Sequence, residues 1–137
     1  MKLDVLICTY NERVVHVPDV LLPYRPDVSY IVSMQYTDKK YFQYIPGELK
    51  NRRDVKLIFL EGKGLSRNRN HCLDAATGDI ALIADDDCRY KDEYFDRIVE
   101  TFGSHPEVDI AQFMLNIEGH NPFPSRKISF TSRRFLS

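Results

Sequence analysis

The chain has 137 residues, 19 Lys and Arg against 20 Asp and Glu, and a formal net charge of −1. That length suits one domain with a core of its own, and a charge so near zero gives no electrostatic reason to expect nucleic acid as a partner. No apolar run approaches the roughly 20 residues of a membrane span, and the first ten residues lack the pattern of a signal peptide, so a cytoplasmic protein is expected.

The predicted elements come in regular alternation. Leu3–Cys8 is a short apolar run rich in β-formers, broken only by Asp4. Residues 11–28 are irregular, because Pro18, Pro23 and Pro26 argue against one long helix. Ser29–Met34 is the second strand. Tyr41–Asn51 has helical character cut by Pro46-Gly47, and Val55–Leu60 is the third strand. A helix is expected over Leu65–Ala76, with an apolar stripe through Leu65, position 69, Leu73 and Ala76. Ile80–Ala84 is apolar at all five positions and reads as a strand buried on both faces.

An amphipathic helix follows, with Tyr94, Phe95, Ile98, Val99 and Phe102 on one side, Asp92 and Glu93 in its first turn, and Gly103 as a C-cap. Val108–Leu115 is a fifth strand by the same reading. Continuous apolar runs separated by helices indicate an α/β fold around a mostly parallel sheet, a three-layer, Rossmann-like arrangement.

The charge is unevenly spread. Every acidic residue lies at or before Glu118, and residues 119–137 hold Arg126, Lys127, Arg133 and Arg134 with no acid. This divides the chain into a domain over 1–118 and a basic tail containing Ser and Pro over 119–137. The three cysteines, Cys8, Cys72 and Cys88, are odd in number and scattered, which speaks against a disulfide framework or a structural zinc site and for buried thiols.

Chemistry is expected at the carboxyl ends of the strands, where open parallel sheets bind ligands. Asp85-Asp86-Asp87 follows the fourth strand directly. At an effective dielectric near 20, two charges about 5 Å apart repel by about 3 kcal/mol, and a divalent cation such as Mg²⁺ or Mn²⁺ relieves that repulsion. Arg69 falls on the expected core stripe of its helix, where its guanidinium needs an anion. Gly62 and Gly64 precede that helix, whose N-terminus suits an anion too, although neither a P-loop nor a dinucleotide fingerprint is present. Thr9-Tyr10-Asn11-Glu12 ends the first strand with polar groups and one aromatic suited to a base and ribose; the same residues also make a good turn.

Taken in order, Val5–Glu12, the helix start Gly64-Leu65-Ser66-Arg67-Asn68-Arg69-Asn70, and Gly78 through Asp87 resemble the motifs of family 2 glycosyltransferases. The resemblance implies the GT-A fold, a nucleotide-diphospho-sugar donor, often UDP-linked, and a divalent metal. Carried over, Thr9, Tyr10 and Glu12 would line the base and ribose pocket, and Arg69 would lie near the base or diphosphate. Asp85 and Asp86 would face the ribose and sugar, and Asp87 would be the metal ligand. The family often has an Asp at the end of its second strand; Gln35 stands there in this chain and could bond a base edge through its amide.

The resemblance fades near Leu115, so the donor-binding half of a transferase is expected. The acceptor is an unidentified glycan, lipid-linked or other molecule, through which the protein could work at a membrane surface. The general base is expected outside this sequence, since no acid follows Glu118. Two other readings remain open: a nucleotide-binding module without catalysis, and a phosphatase using Asp85 and Asp87 as nucleophile and acid.

Overall fold

The computed structural model describes residues 1–113. Four strands form one all-parallel sheet: β1 (Leu3–Tyr10), β2 (Val28–Tyr36), β3 (Val55–Glu61) and β4 (Ile80–Asp85), in the order β3-β2-β1-β4. Three α-helices accompany them: α1 (Gly47–Asn51), α2 (Leu65–Ala75) and α3 (Asp92–Ser104). The parallel α/β architecture expected from the sequence is present. No helix among the described residues is long and apolar enough to cross a membrane.

The central strands β1 and β2 explain the fold. Leu3, Val5, Leu6 and Ile7 are at most 1% exposed, so both faces of β1 are covered. Alternation along a strand separates the two faces. Leu6, Cys8 and Ile31 pack with Cys72 of α2, while the 3-10 helix Asn11–Val20 buries Val14, Val17 and Val20 and packs on β1 and β2. The segment expected to be irregular is therefore helical for ten residues. Its tight 3-10 turns bring every third residue to the sheet.

Several expectations need correction. Among the described residues β4 has a ladder with β1 alone, and Ala81 and Ile83 are exposed, Ile83 by 49%. One face of it is therefore open, and a continuous apolar run could not distinguish that from full burial. Of the fifth strand expected over Val108–Leu115, the described residues contain an isolated bridge at Ala111 and no further strand, while 114–115 lie outside them, as does the basic tail. Gly103 sits inside the last turn of α3 rather than capping it.

The α2 stripe is also rotated from its expected position. Leu65 and Leu73 are 54% and 42% exposed, and the buried residues are Asn68 and Cys72. The sheet presents main-chain carbonyls to this helix, and Asn68 Nδ2 donates to the main-chain oxygens of Thr9 and Ser33, each at 3.2 Å. Satisfying buried carbonyls outweighs burying a leucine at the helix start.

The chain divides into two compact units, Met1–Val99 and Glu100–Ser137. The sheet and the cleft described below belong to the first.

Candidate nucleotide site

The strand order reverses between β1 and β4: the chain leaves β1 toward β2 and β3, then crosses back to β4 on the other side. Ligands of open α/β sheets bind outside the carboxyl ends of the strands at such a point. A cleft of about 350 Å³ lies there. Its walls include Thr9 and Tyr10 from β1, Gln35 from β2, Gly64, Leu65 and Asn68 at the start of α2, and Asp85, Asp86 and Asp87 at the end of β4.

The turn after β1 is built by Asn11. Its φ of +50° places it in the left-handed region, which Asn tolerates better than most residues. Its side chain receives a hydrogen bond from the Thr37 amide at 3.0 Å and donates to Thr37 Oγ1 at 3.2 Å. These bonds lock the ends of β1 and β2 side by side and bring Tyr10 level with Gln35. Gly64, at φ +136°, turns the chain into α2 with a backbone conformation that side chains rarely adopt.

The three aspartates have different surroundings. Asp86 is 5% exposed and fully engaged: Thr9 Oγ1 donates to it at 3.0 Å, and the Arg13 guanidinium grips both its oxygens. That hydrogen bond holds the Arg13 guanidinium above its ordinary pKa. Asp85 is exposed and pairs with Arg69 at 3.3 Å. Asp87 is exposed, and ligand atoms of Asp85, Asp87 and Cys88 lie within 4.8 Å of one another. Carboxylate oxygens suit Mg²⁺ and Mn²⁺, and a neighbouring thiol leans toward the softer Mn²⁺, so this donor set fits a divalent cation.

Of the residues singled out in the sequence, Thr9, Tyr10, Gln35, Asp85, Asp86 and Asp87 line one cleft. Arg69 reaches its edge through Asp85. Glu12 is exposed in the 3-10 helix and is not part of the wall. The sequence reading passed over Arg13, Lys63 and Asn68. Arg13 had a signal: a cation five residues past the expected strand end at Cys8, on a chain where a run of three acids needs counter-charge. Asn68 could be found only by asking what satisfies the carbonyls of two adjacent strands.

Among the described residues, four buried polar side-chain atoms have no hydrogen-bond partner: Ser33 Oγ, Gln35 Nε2, Asn68 Oδ1 and Arg69 Nε. All belong to the carboxyl half of β2 or the first turns of α2, around the cleft. Gln35 is only 2% exposed. An unmet donor so deep in a cleft costs free energy until something accepts from it.

Comparison with known proteins bears on this geometry. The glycosyl transferase family 2 profile matches residues 33–136, beginning in β2 and so leaving the Thr9–Glu12 turn outside the match. No curated protein matches the chain. Among solved structures, S. aureus TarS 1–349 superposes with a TM-score of 0.61 at 21% identity, covering 77% of this chain and 33% of that one. The chain thus spans about a third of the TarS structure, and the likeness shows a shared fold. With a GT-A, Rossmann-like sheet and a profile match over most of its length, the chain belongs to glycosyl transferase family 2.

Proposed function

We propose that this chain carries the donor-binding half of a metal-dependent glycosyltransferase and takes a nucleoside-diphosphate sugar, UDP-linked, into the cleft. In this reading residues 1–118 form the donor domain and 119–137 begin the acceptor half. The observation that supports it most is the convergence of Thr9, Tyr10, Gln35, Asp85, Asp86 and Asp87 on one cleft at the strand-order reversal.

Each group has a part. The Gln35 amide reads the base edge, where its unmet Nε2 finds an acceptor. Tyr10 and the polar main chain around Thr9 border the base and ribose. Asp86, clamped by Arg13 and Thr9, keeps the β4 end rigid and its neighbours in register. The free N–H groups in the first turn of α2 and the Arg69 guanidinium face the diphosphate charge. Asp87, with Asp85 and Cys88 beside it, would hold Mn²⁺ or Mg²⁺. When bound, the cation supplies Lewis-acid neutralisation of the diphosphate leaving group. Transfer also needs a base for the acceptor hydroxyl, a contribution of about 10²–10⁴-fold; the proposal assigns that role to none of the described residues.

A thermal-shift panel of nucleoside diphosphates, with and without Mn²⁺, tests this. A ligand at 100 times its Kd adds about 2.7 kcal/mol to the folded state, so UDP with Mn²⁺ should raise the melting temperature visibly. A folded sample unmoved by every nucleotide in the presence of metal would remove the donor-site reading.

A further inference from the structure

Beneath the cleft lie two thiols that the donor reading does not use. Cys8, on β1, and Cys72, in the middle of α2, are 64 positions apart, and their sulfurs are 4.0 Å apart, sharing a hydrogen bond. Cys8 occupies the rung of the sheet that pairs with Asp85 on one side and Ser33 on the other. It is 7% exposed and contributes to the cleft wall, whereas Cys72 is fully buried beneath it, close to the main-chain oxygens of Ile7 and Ile31.

We propose that Cys8 and Cys72 are a peroxide-reactive dithiol that closes to a disulfide in the floor of the cleft and weakens nucleotide binding while it lasts. The two cysteines divide the work by position. A small hydroperoxide reaches Cys8 through the cleft; Cys72 is shielded and reacts only with what Cys8 becomes. The Cys8 sulfur attacks the peroxide, the O–O bond breaks, and Cys8 becomes a sulfenic acid with release of water. The Cys72 sulfur then attacks the Cys8 sulfur, and the S–O bond breaks. The Cys72 proton leaves with the hydroxide as a second water. Two thiols and one hydrogen peroxide thus give one disulfide and two waters. The local chemistry agrees with this order: the shared hydrogen bond, helped by Arg69, holds the Cys8 thiol below its ordinary pKa, while the same bond and burial push Cys72 up.

The consequence for binding rests on the nucleotide reading. A disulfide brings sulfurs to about 2.05 Å, so roughly 2 Å of the present gap must close by side-chain rotation and a shift of α2 against β1. Asn68 stands one turn before Cys72, borders the cleft and holds the carbonyls of Thr9 and Ser33. Drawing α2 inward at Cys72 displaces that turn and narrows the cleft.

The test uses the full chain, fully reduced, then exposed to hydrogen peroxide. Intact mass should fall by two hydrogens, peptide mapping should find Cys8 linked to Cys72, and a dithiol reductant should reverse both. The Cys88→Ala variant should form the same link. The Cys72→Ser variant should stop at an oxidised Cys8, and its reduced form should bind UDP with Mn²⁺ as the parent does. Oxidation of the parent should lower UDP affinity about tenfold, or 1.4 kcal/mol, and reduction should restore it. Over-oxidation of Cys8 without a link in the parent, a link through Cys88, or two unreacted thiols under peroxide would each overturn the dithiol. An unchanged UDP affinity of the linked protein would overturn its effect on binding. Failure of the reduced protein to bind any nucleotide, with the link formed, would count against the donor reading and against that effect, and leave the dithiol standing.

Discussion

The two edges of the sheet treat their polar groups in opposite ways. At the amino edge charges are consumed by the structure itself. Asp4, 2% exposed, accepts from the amides of Thr77 and Gly78 at 2.8 and 2.6 Å. Arg52 clasps Asp54 with two nitrogens and reaches the Leu22 carbonyl. Arg25 gathers Asp27, Asp92 and Asp96. At the carboxyl edge, Asp85 and Asp87 stand exposed and the four unpartnered buried atoms collect. The amino edge also has a hollow, about 170 Å³, but Asp4 and Asp54 on its wall are already bonded. Unmet buried polar groups call for an explanation, and it is around the larger hollow, used by the proposed donor site, that they gather.

Substitutions at the two edges should therefore separate stability from binding. The largest effect is expected from Asp4→Ala, which removes a buried charged acceptor from two part-buried amides and should cost about 3 kcal/mol in urea unfolding, with nucleotide affinity of the folded fraction unchanged. Gly78→Ala should follow at about 2 kcal/mol, because a Cβ there would lie 2.9 Å from the Lys2 main-chain oxygen and 3.0 Å from Asp4 Cγ. A loss of nucleotide binding in either folded variant would blur the division between the edges.

At the other edge the signs reverse. Asp87→Asn should abolish the metal-dependent part of nucleotide affinity, about a hundredfold, while leaving the unfolding midpoint where it was; titration calorimetry with and without Mn²⁺ reads both parts. Gln35→Leu should weaken nucleotide binding about tenfold and yet leave the free protein equally stable or up to about 1 kcal/mol more so, since it removes an unmet buried donor. A destabilised Gln35→Leu protein with full affinity would make Gln35 a structural residue.

The smallest effect concerns pH. The Arg52 guanidinium holds the Asp54 carboxyl below its ordinary pKa. A depressed carboxylate contributes stability at neutral pH that is lost as pH falls through the folded value, so the contribution should fade on acidification below about pH 4. Asp54→Asn should flatten that acid limb in thermal melts recorded from neutral to acidic pH. An unaltered acid limb would mean that the pair contributes no pH dependence.

Much of this was legible in the sequence, and each miss has a physical reason. The four strands were read from short β-rich apolar runs, and each proved one or more residues longer, because pairing with a neighbour extends a strand into polar positions such as Tyr10 and Tyr36. The aspartate run was legible because three adjacent acids are costly in any fold. The open face of β4 was not legible, because burial of a strand is set by what pairs and packs beside it.

Local patterning was enough for the alternation of elements, the parallel sheet that follows from it, and the placing of acids and glycines at element ends. Those follow from local periodicity and backbone chemistry, which travel with the residues. Only the tertiary structure decided which side of α2 faces the sheet, that Asp86 is spent on Arg13 and Thr9 while Asp87 stays open, and that two cysteines 64 positions apart lie sulfur to sulfur. Those depend on register and on the demand of buried carbonyls and carboxylates for partners, and the partners come from strands and helices distant along the chain.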